Sequence, residues 1–133
     1  MILKIAHIGV AVKSVEEAEK FYSQVLNLPI RGREESPENK VSFVPVGDTA
    51  VELLQGLTPE APIFKFVEKK GEGIHHIAYQ VDDIEKTLEE MKAKGVPLID
   101  QKPRKGAHNT KIAFLHPKNT HGVLVELVEP GKH

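Results

Sequence analysis

Two histidines and two glutamates occupy matching places in the two halves of this 133-residue chain. His7 and His76 each stand near the start of an apolar, alternating stretch, whereas Glu52 and Glu126 each lie inside a later apolar run, AVELL or LVELV. Imidazole and carboxylate groups are ligands for zinc, cobalt, nickel, manganese and iron(II). A carboxylate among apolar neighbours also needs a compensating charge. The four residues are therefore candidate ligands of one divalent metal ion, whose identity the residue types leave open.

The matching places come from an internal repeat, which also predicts the elements that position these residues. Residues 7–30 align with residues 76–99, and residues 40–54 align with residues 111–128 when the second turn is allowed three extra residues. Each half is predicted to contain a strand, an amphipathic helix and about three antiparallel strands. The fold class that follows is α+β, with duplicated βαβββ modules forming a curved, mostly antiparallel sheet around a metal site.

The repeat also sets the expected domain organisation. We predict one domain over residues 1–133, built of half-repeats 1–57 and 74–130. The linker, residues 58–73, is expected to hold a short helix and a glycine-bearing turn.

Each predicted helix has a recognisable start. A Ser14-x-x-Glu17 capping box opens the first helix, and Asp83 opens the second. The first helix is expected to bury an apolar face made of Val15, Ala18, Phe21 or Tyr22, and Val25. The second is expected to bury Ile84, Leu88 and Met91 and to end near Gly95.

Two adjacent histidines, His75 and His76, occur in EGIHHIAYQVDD, and only one of them is expected to be a metal ligand. His76, not His75, is the counterpart of His7 in the repeat. Successive residues of a strand point to opposite faces, so His75 is predicted to face away from the metal ligands and to serve packing.

Composition narrows the classes of partner. The formal net charge is −1, so no global field recruits nucleic acid or an anionic membrane, and no apolar stretch approaches the length of a membrane helix. The absence of cysteine excludes disulfides and thiolate chemistry, and we expect a cytoplasmic protein. A local basic cluster remains that could bind a phosphorylated small molecule, namely Lys102, Arg104, Lys105, Lys111 and Lys118.

The duplicated halves, with His and Glu at matching places, resemble the vicinal oxygen chelate superfamily. Within it, the stretches GEGIHHIAYQVDDIE, KPRKGAHNTKIAFLHPK and GVLVELVE make residues 4–129 similar to the methylmalonyl-CoA epimerases. The resemblance implies metal-dependent interconversion of (2R)- and (2S)-methylmalonyl-CoA by proton transfer at C2, through a metal-stabilised enolate. It also implies a CoA thioester as partner and a homodimer.

The same resemblance assigns roles to individual residues. His7, His76 and Glu126 are implied metal ligands, with Glu52 at the position of the more variable fourth ligand; the implied metal is cobalt, with zinc, nickel, manganese and iron as alternatives. Glu126 would also act as an acid/base at C2.

The second acid/base is where this chain departs from the family pattern. Some members carry a Glu on the strand that here reads KVSFVPV, which contains no acid, and Lys40 stands nearest to that place. Lys40 is therefore the candidate for the opposite face of C2. The candidates for substrate binding are Lys105, as a cation for the CoA phosphates, and Gly106, Ala107 and His108, whose backbone amides would hold the substrate carboxylate.

Two alternative functions remain open at this point. One is another enzyme of the superfamily, such as a glyoxalase-like lyase, which would use the same ligands with a different pocket. The other is a non-enzymatic small-molecule-binding module, although such modules commonly lack the metal ligands that are all present here.

Overall fold

A computed structural model describes residues 1–131. The eight strands are Ile2–Ala11 (β1), Arg33–Glu35 (β2), Asn39–Val46 (β3), Thr49–Gly56 (β4), Gly73–Val81 (β5), Arg104–Lys105 (β6), Lys111–Phe114 (β7) and Val125–Glu129 (β8). The α-helices are Val15–Lys20 (α1), Pro62–Lys70 (α2) and Ile84–Ala93 (α3). A π-helical turn, Phe21–Val25, continues α1, and two 3-10 turns cover Ala107–Asn109 and Pro117–Asn119.

The strands form one sheet in the order β2-β3-β4-β1-β5-β8-β7-β6. In each half the outer strands pair antiparallel, while the first strand of the half pairs parallel with its last, β1 with β4 and β5 with β8. The predicted βαβββ order is found twice. The α+β fold class and the mostly antiparallel sheet are therefore confirmed.

The chain divides into two compact units, one of residues 7–75 and one that joins residues 1–6 to the chain from His76 onward. The half-repeat bounds 1–57 and 74–130 stay a prediction, and the last two residues of the predicted domain lie outside the part that the structure describes.

The first helix begins as predicted, but its buried face is shorter. The Ser14 hydroxyl accepts a hydrogen bond from the Glu17 amide, and Val15 is fully buried. After Lys20 the helix widens, with the Leu26 amide bonded to the Phe21 carbonyl five residues back. Of the two alternatives Phe21 and Tyr22, Tyr22 packs on the core and Phe21 is exposed. Val25, in the same π turn, also lies exposed, so its predicted burial is wrong.

The second helix follows the prediction closely. The Asp83 side chain accepts from the Lys86 amide, and Ile84 and Leu88 are buried against Val81 and Leu127. Met91 is half-buried, and Gly95 follows the helix end with φ of +75°. The left-handed conformation that terminates the helix explains the glycine there.

The predicted linker helix is α2, which packs against the end of β4. A side chain at Gly56 would place its Cβ 2.4 Å from the Phe64 backbone nitrogen, so only glycine permits this approach. None of the helices in residues 1–131 has the length and apolar character needed to span a membrane.

Candidate metal centre

The parallel pairing of β1 with β4 brings His7 to Glu52. Glu52 lies opposite Gly9, which shares a strand face with His7 and has no side chain to fill the space. The His7 Nδ1 to Glu52 Oε2 distance is 3.0 Å, and both side chains are nearly excluded from solvent. A glycine two residues after the histidine thus lets the carboxylate reach back to the imidazole.

The second unit repeats this arrangement. Glu126 lies opposite Ala78, again a small residue two positions after the histidine. The His76 Nε2 to Glu126 Oε1 distance is 3.2 Å, with side-chain exposures of 6% and 5%. In both halves, then, a small residue stands two positions after the histidine, in HIG and in HIA, and faces the glutamate of the partner strand. This pattern is a sequence signal for the His–Glu contact that was not among the predictions.

Three of the four predicted ligands form one group. His7, His76 and Glu126 are buried, and each offers one ligand atom such that these atoms all lie within 4.8 Å of one another. In residues 1–131 it is the only cluster of three or more His, Cys, Asp or Glu with this spacing. Glu52 is outside that group and contacts His7 instead. Two imidazoles and a carboxylate are a suitable donor set for a divalent transition metal.

A phenylalanine stands across from each glutamate. Phe43 pairs with Glu52 in β3 and β4, and Phe114 pairs with Glu126 in β7 and β8. The Phe114 ring also meets the His76 ring edge-on, with centroids 5.6 Å apart. Each carboxylate therefore has an aromatic neighbour on its own sheet face, which limits access of water.

His75 packs against a neighbouring side chain, as predicted from strand alternation. It is half-buried, and its ring packs edge-to-face on Phe66 with centroids 5.0 Å apart. It is not a member of the ligand group.

Lys40 and Glu52 lie on opposite faces of the sheet. Lys40 pairs with Gln55, three residues from Glu52 along β4, so the two side chains leave opposite faces of the sheet. The Lys40 ammonium instead forms an ion pair with Glu16 of α1 at 3.1 Å. The Lys40 side chain is thus held against α1, on the face opposite to Glu52, and its acid/base role stays a prediction from the sequence.

The face of β2 and β3 that carries Phe43 offers one acid among the described residues. Glu34 pairs with Val41 and so shares the face of Phe43 and Glu52. It is exposed, on the edge strand.

Lys40 belongs to an ionic cluster that fastens α1 to β2 and β3. Arg33 forms hydrogen bonds with Glu19 through both Nε and Nη2, and the buried Ser42 hydroxyl donates to the same carboxylate at 2.6 Å. The hydrogen bond from Arg33 is the main cause that lowers the pKa of Glu19, with Ser42 adding to it against the effect of burial. This cluster is structural.

The predicted substrate-binding residues lie at the end of β6, Lys105, and in the loop that follows it, Gly106, Ala107 and His108. A side chain at Gly106 would place its Cβ 2.6 Å from Ile112 Cγ2, so the Ile112 side chain would have to shift. His108 and Asn109 both have positive φ, 55° and 56°, which is a strained conformation for residues other than glycine. Lys105 pairs with Lys111, and this register puts it on the sheet face opposite to Glu126.

Arg104, one residue earlier, is on the face of Glu126. Its guanidinium lies over the Phe114 ring at 5.3 Å from the centroid. Asp100 orients it by accepting from Arg104 Nε at 3.2 Å, while its other oxygen accepts from the Phe114 amide. The sequence analysis placed Arg104 only in a basic cluster; strand alternation between positions 104 and 105 is the signal that separates it from Lys105.

Comparison with known proteins gives the chain a family. Residues 6–114 match the model of the glyoxalase/bleomycin resistance protein/dioxygenase superfamily. The chain is 43% identical to the uncharacterized protein YqjC of Bacillus subtilis (strain 168), covering 96% of this chain and 92% of that protein. It is 38% identical to the mitochondrial methylmalonyl-CoA epimerase of Homo sapiens, covering 93% of this chain and 72% of the relative. An ethylmalonyl-CoA/methylmalonyl-CoA epimerase of Cereibacter sphaeroides is 36% identical, with 96% and 98% covered.

Solved structures agree with the sequence relatives. Methylmalonyl-CoA epimerase from Mycobacterium tuberculosis superposes with a TM-score of 0.94 at 30% identity, covering 98% of this chain and 90% of that one. A methylmalonyl-CoA epimerase in complex with methylmalonyl-CoA and NH4+ superposes with a TM-score of 0.92 at 29% identity, with 98% and 96% covered. This chain belongs to the glyoxalase/bleomycin resistance protein/dioxygenase superfamily and, within it, to the family of the methylmalonyl-CoA epimerases.

Proposed function

We propose that this chain is an enzyme that epimerises methylmalonyl-CoA at C2 with the help of a divalent metal ion. The observation that carries the proposal is the buried group of His7, His76 and Glu126, whose ligand atoms lie within 4.8 Å, in a chain from a family of such epimerases. A thioester and a carboxylate flank the C2 proton of this substrate, so its removal leaves an enolate that requires stabilisation.

The donor set suits the metal. Two imidazoles and one carboxylate leave coordination positions open for substrate oxygens, and Glu52 is placed to orient His7 through its hydrogen bond or to serve as a fourth ligand. A metal bound there would act as a Lewis acid on the charge that develops on the thioester oxygen. Cobalt is our choice, by family resemblance, over zinc, nickel, manganese or iron.

Proton transfer, exclusion of water and binding of the substrate carboxylate would be carried out by residues of this chain. Glu126 would move the proton at C2, since it is the buried carboxylate beside His76. Phe43 and Phe114 would exclude water. The Gly106 amide donates to the Thr110 carbonyl, so the substrate carboxylate would bind to the backbone amides of Ala107 and His108, with the guanidinium of Arg104 as a cation on the face of Glu126. Homodimer formation and a cytoplasmic location stay predictions from the sequence.

Proton exchange at C2 tests this proposal. Protein reconstituted with Co²⁺ is incubated in deuterated water with one epimer of methylmalonyl-CoA; we expect deuterium at C2 and appearance of the other epimer. Replacing the acid/base by Glu126→Gln should lower the rate at least about 100-fold, the usual contribution of general acid–base catalysis.

Two further substrates separate the alternatives. A probable lactoylglutathione lyase of Vibrio cholerae is 30% identical over 95% of this chain, so a glutathione hemithioacetal is assayed as well. Turnover of the hemithioacetal without C2 exchange would contradict the epimerase proposal. Ethylmalonyl-CoA tests the breadth of the acyl pocket. A binding-only module would show neither reaction and no stoichiometric metal.

A further inference from the structure

Asp100 contacts the backbone of Phe114 through both its main chain and its side chain. The amides of Ile99 and Asp100 donate to the Phe114 carbonyl at 2.9 and 3.2 Å, and one Asp100 carboxylate oxygen accepts from the Phe114 amide at 2.9 Å. Only 17% of the Asp100 side chain is exposed, so water competes little for these bonds. Both polar groups of the Phe114 backbone are therefore directed at Asp100 and Ile99.

This direction of the backbone brings the Phe114 and Glu126 side chains close together. Residues that face each other in antiparallel strands alternate between pairs that exchange backbone hydrogen bonds and pairs that do not. The neighbouring pair is bonded, because the Leu115 amide donates to the Val125 carbonyl at 2.9 Å. Phe114 and Glu126 thus form a pair without backbone hydrogen bonds. In such pairs the Cα atoms are only about 4.5 Å apart and the side chains are closer than in the bonded kind.

The Phe114 ring is also held in place through Asp100. The second Asp100 oxygen accepts from Arg104 Nε at 3.2 Å, and the Arg104 guanidinium lies over the ring, 5.3 Å from its centroid. A cation at this distance from an aromatic face is attracted by the ring. The same ring meets the His76 imidazole edge-on, with centroids 5.6 Å apart. One carboxylate therefore holds both the main chain and the ring of the residue that neighbours His76 and Glu126.

We infer that Asp100 is a positioning residue for the candidate metal centre, and that it orients His76 and Glu126 by holding Phe114 and Arg104. The inference rests on the proposed function, because it takes the role of His76 and Glu126 as metal ligands from there. Loss of a group that orients a metal ligand commonly weakens metal affinity about 10- to 100-fold. Phe114 supplies packing rather than a hydrogen bond to the ligands, so we expect an effect at the lower end of that range.

Binding of Co²⁺ to the protein without substrate is the first test. Calorimetry compares the wild type with Asp100→Ala, Arg104→Gln and a control, Glu85→Gln. The control makes the same change of net charge as Asp100→Ala and also breaks a pair with a cation, Lys111 at 3.2 Å, but at an exposed place. We expect Asp100→Ala to bind Co²⁺ about tenfold more weakly than the wild type, and the control to bind it equally.

Arg104→Gln separates positioning from simple electrostatics. Loss of a positive charge would by itself strengthen the binding of a cation, whereas release of the Phe114 ring should weaken it. We expect weaker binding than in the wild type, but a smaller loss than in Asp100→Ala, because the bond from the Phe114 amide to Asp100 remains. Since no substrate is present, contact between Arg104 and a substrate carboxylate does not enter the measurement. Asp100→Asn, which keeps an acceptor for the Phe114 amide, replaces Asp100→Ala if that variant does not fold, and should resemble Arg104→Gln.

Nuclear magnetic resonance of the metal-free protein is the second test. The ring current of Phe114 shifts the signals of the His76 imidazole protons, which are identified by their loss in His76→Ala. We expect these signals to move in Asp100→Ala and to stay in place in Glu85→Gln. A merely structural role of Asp100 would lower the urea concentration at the midpoint of unfolding but would leave the Co²⁺ affinity of the folded protein unchanged.

The two tests separate failure of this inference from failure of the proposed function. Equal Co²⁺ affinity in Asp100→Ala and in the wild type would overturn the inference. If none of the proteins binds Co²⁺, the proposed metal site is contradicted and the His76 signals decide: movement in Asp100→Ala but not in the control supports positioning, and unchanged signals overturn it. If Co²⁺ binds as expected but no protein exchanges the C2 proton, the proposed reaction fails and the role of Asp100 stands.

Discussion

At the scale of single residues, the two adjacent histidines offer a sharp test of the metal site. His76 belongs to the buried ligand group, whereas His75 packs on Phe66. We expect His76→Ala to abolish stoichiometric metal binding and C2 exchange, because it removes one of the two imidazoles. His75→Ala should keep both and lose only packing energy. Metal content by mass spectrometry and the exchange rate measure the difference.

This pair is its own control, since the same substitution is made one position apart on one strand. Equal metal content in the two variants would contradict the assignment of His76. Far-ultraviolet circular dichroism confirms that both variants are folded before the comparison is made.

The grouping of His7, His76 and Glu126 could be predicted from the sequence, because the repeat supplied a His and a Glu in each half. Lys40 could not be placed in this way: its position in the chain suggested a role at C2, but the register of β3 with β4 decides its face. A slip of one residue in register reverses every side chain of a strand, and no short-range signal sets that register here. For the same reason, the sequence could not show which of Arg104 and Lys105 lies on the sheet face of Glu126.

At the scale of elements, the attachment of α1 to the sheet depends on one carboxylate. Glu19 accepts hydrogen bonds from Arg33 and from the buried Ser42, and only 13% of its side chain is exposed. We expect Glu19→Gln to lower the free energy of unfolding by about 1.5–3 kcal/mol, the range for hydrogen bonds to charged groups. Urea unfolding at neutral pH measures the loss.

The pH dependence of that loss has a definite sign. The pKa of Glu19 in the folded protein lies below its ordinary value of 4.5, mainly because of the hydrogen bond from Arg33. The stabilisation is therefore complete above about pH 4.5 and disappears as the pH falls through the lower folded pKa. The difference between wild type and Glu19→Gln should shrink in that window. Glu17→Gln, on the exposed side of the same helix, is the matched control and should change stability by less than about 1 kcal/mol at any pH.

Helix boundaries show what local patterns can and cannot establish. The start of each helix was predictable, because Ser14 and Asp83 satisfy orphan amides whatever packs around them. The exposure of Val25, and the choice of Tyr22 over Phe21 for the core, were not predictable, since a π turn has no local signal in this sequence and changes which residues face the core.

At the scale of the whole molecule, duplication made the fold predictable. Two weak patterns that agree in order and spacing exclude most alternative architectures, and both halves show the expected strand, helix and three strands. The parallel pairing of first and last strand in each half was outside the reach of the sequence, because the predicted modules gave order along the chain and not neighbours in the sheet.

That pairing has a consequence for how the molecule folds. Each glutamate reaches its histidine only when strands far apart in sequence join, as in His7 with Ala50 and Ile77 with Val125. Closing such long loops is slow, so these contacts should form after the rate-limiting barrier rather than before it. Bound Co²⁺ should then slow unfolding while leaving the refolding rate unchanged, as stopped-flow measurements with and without the metal would record. Faster refolding in the presence of Co²⁺ would mean that the ligands gather early, and that the metal acts as a template for the sheet.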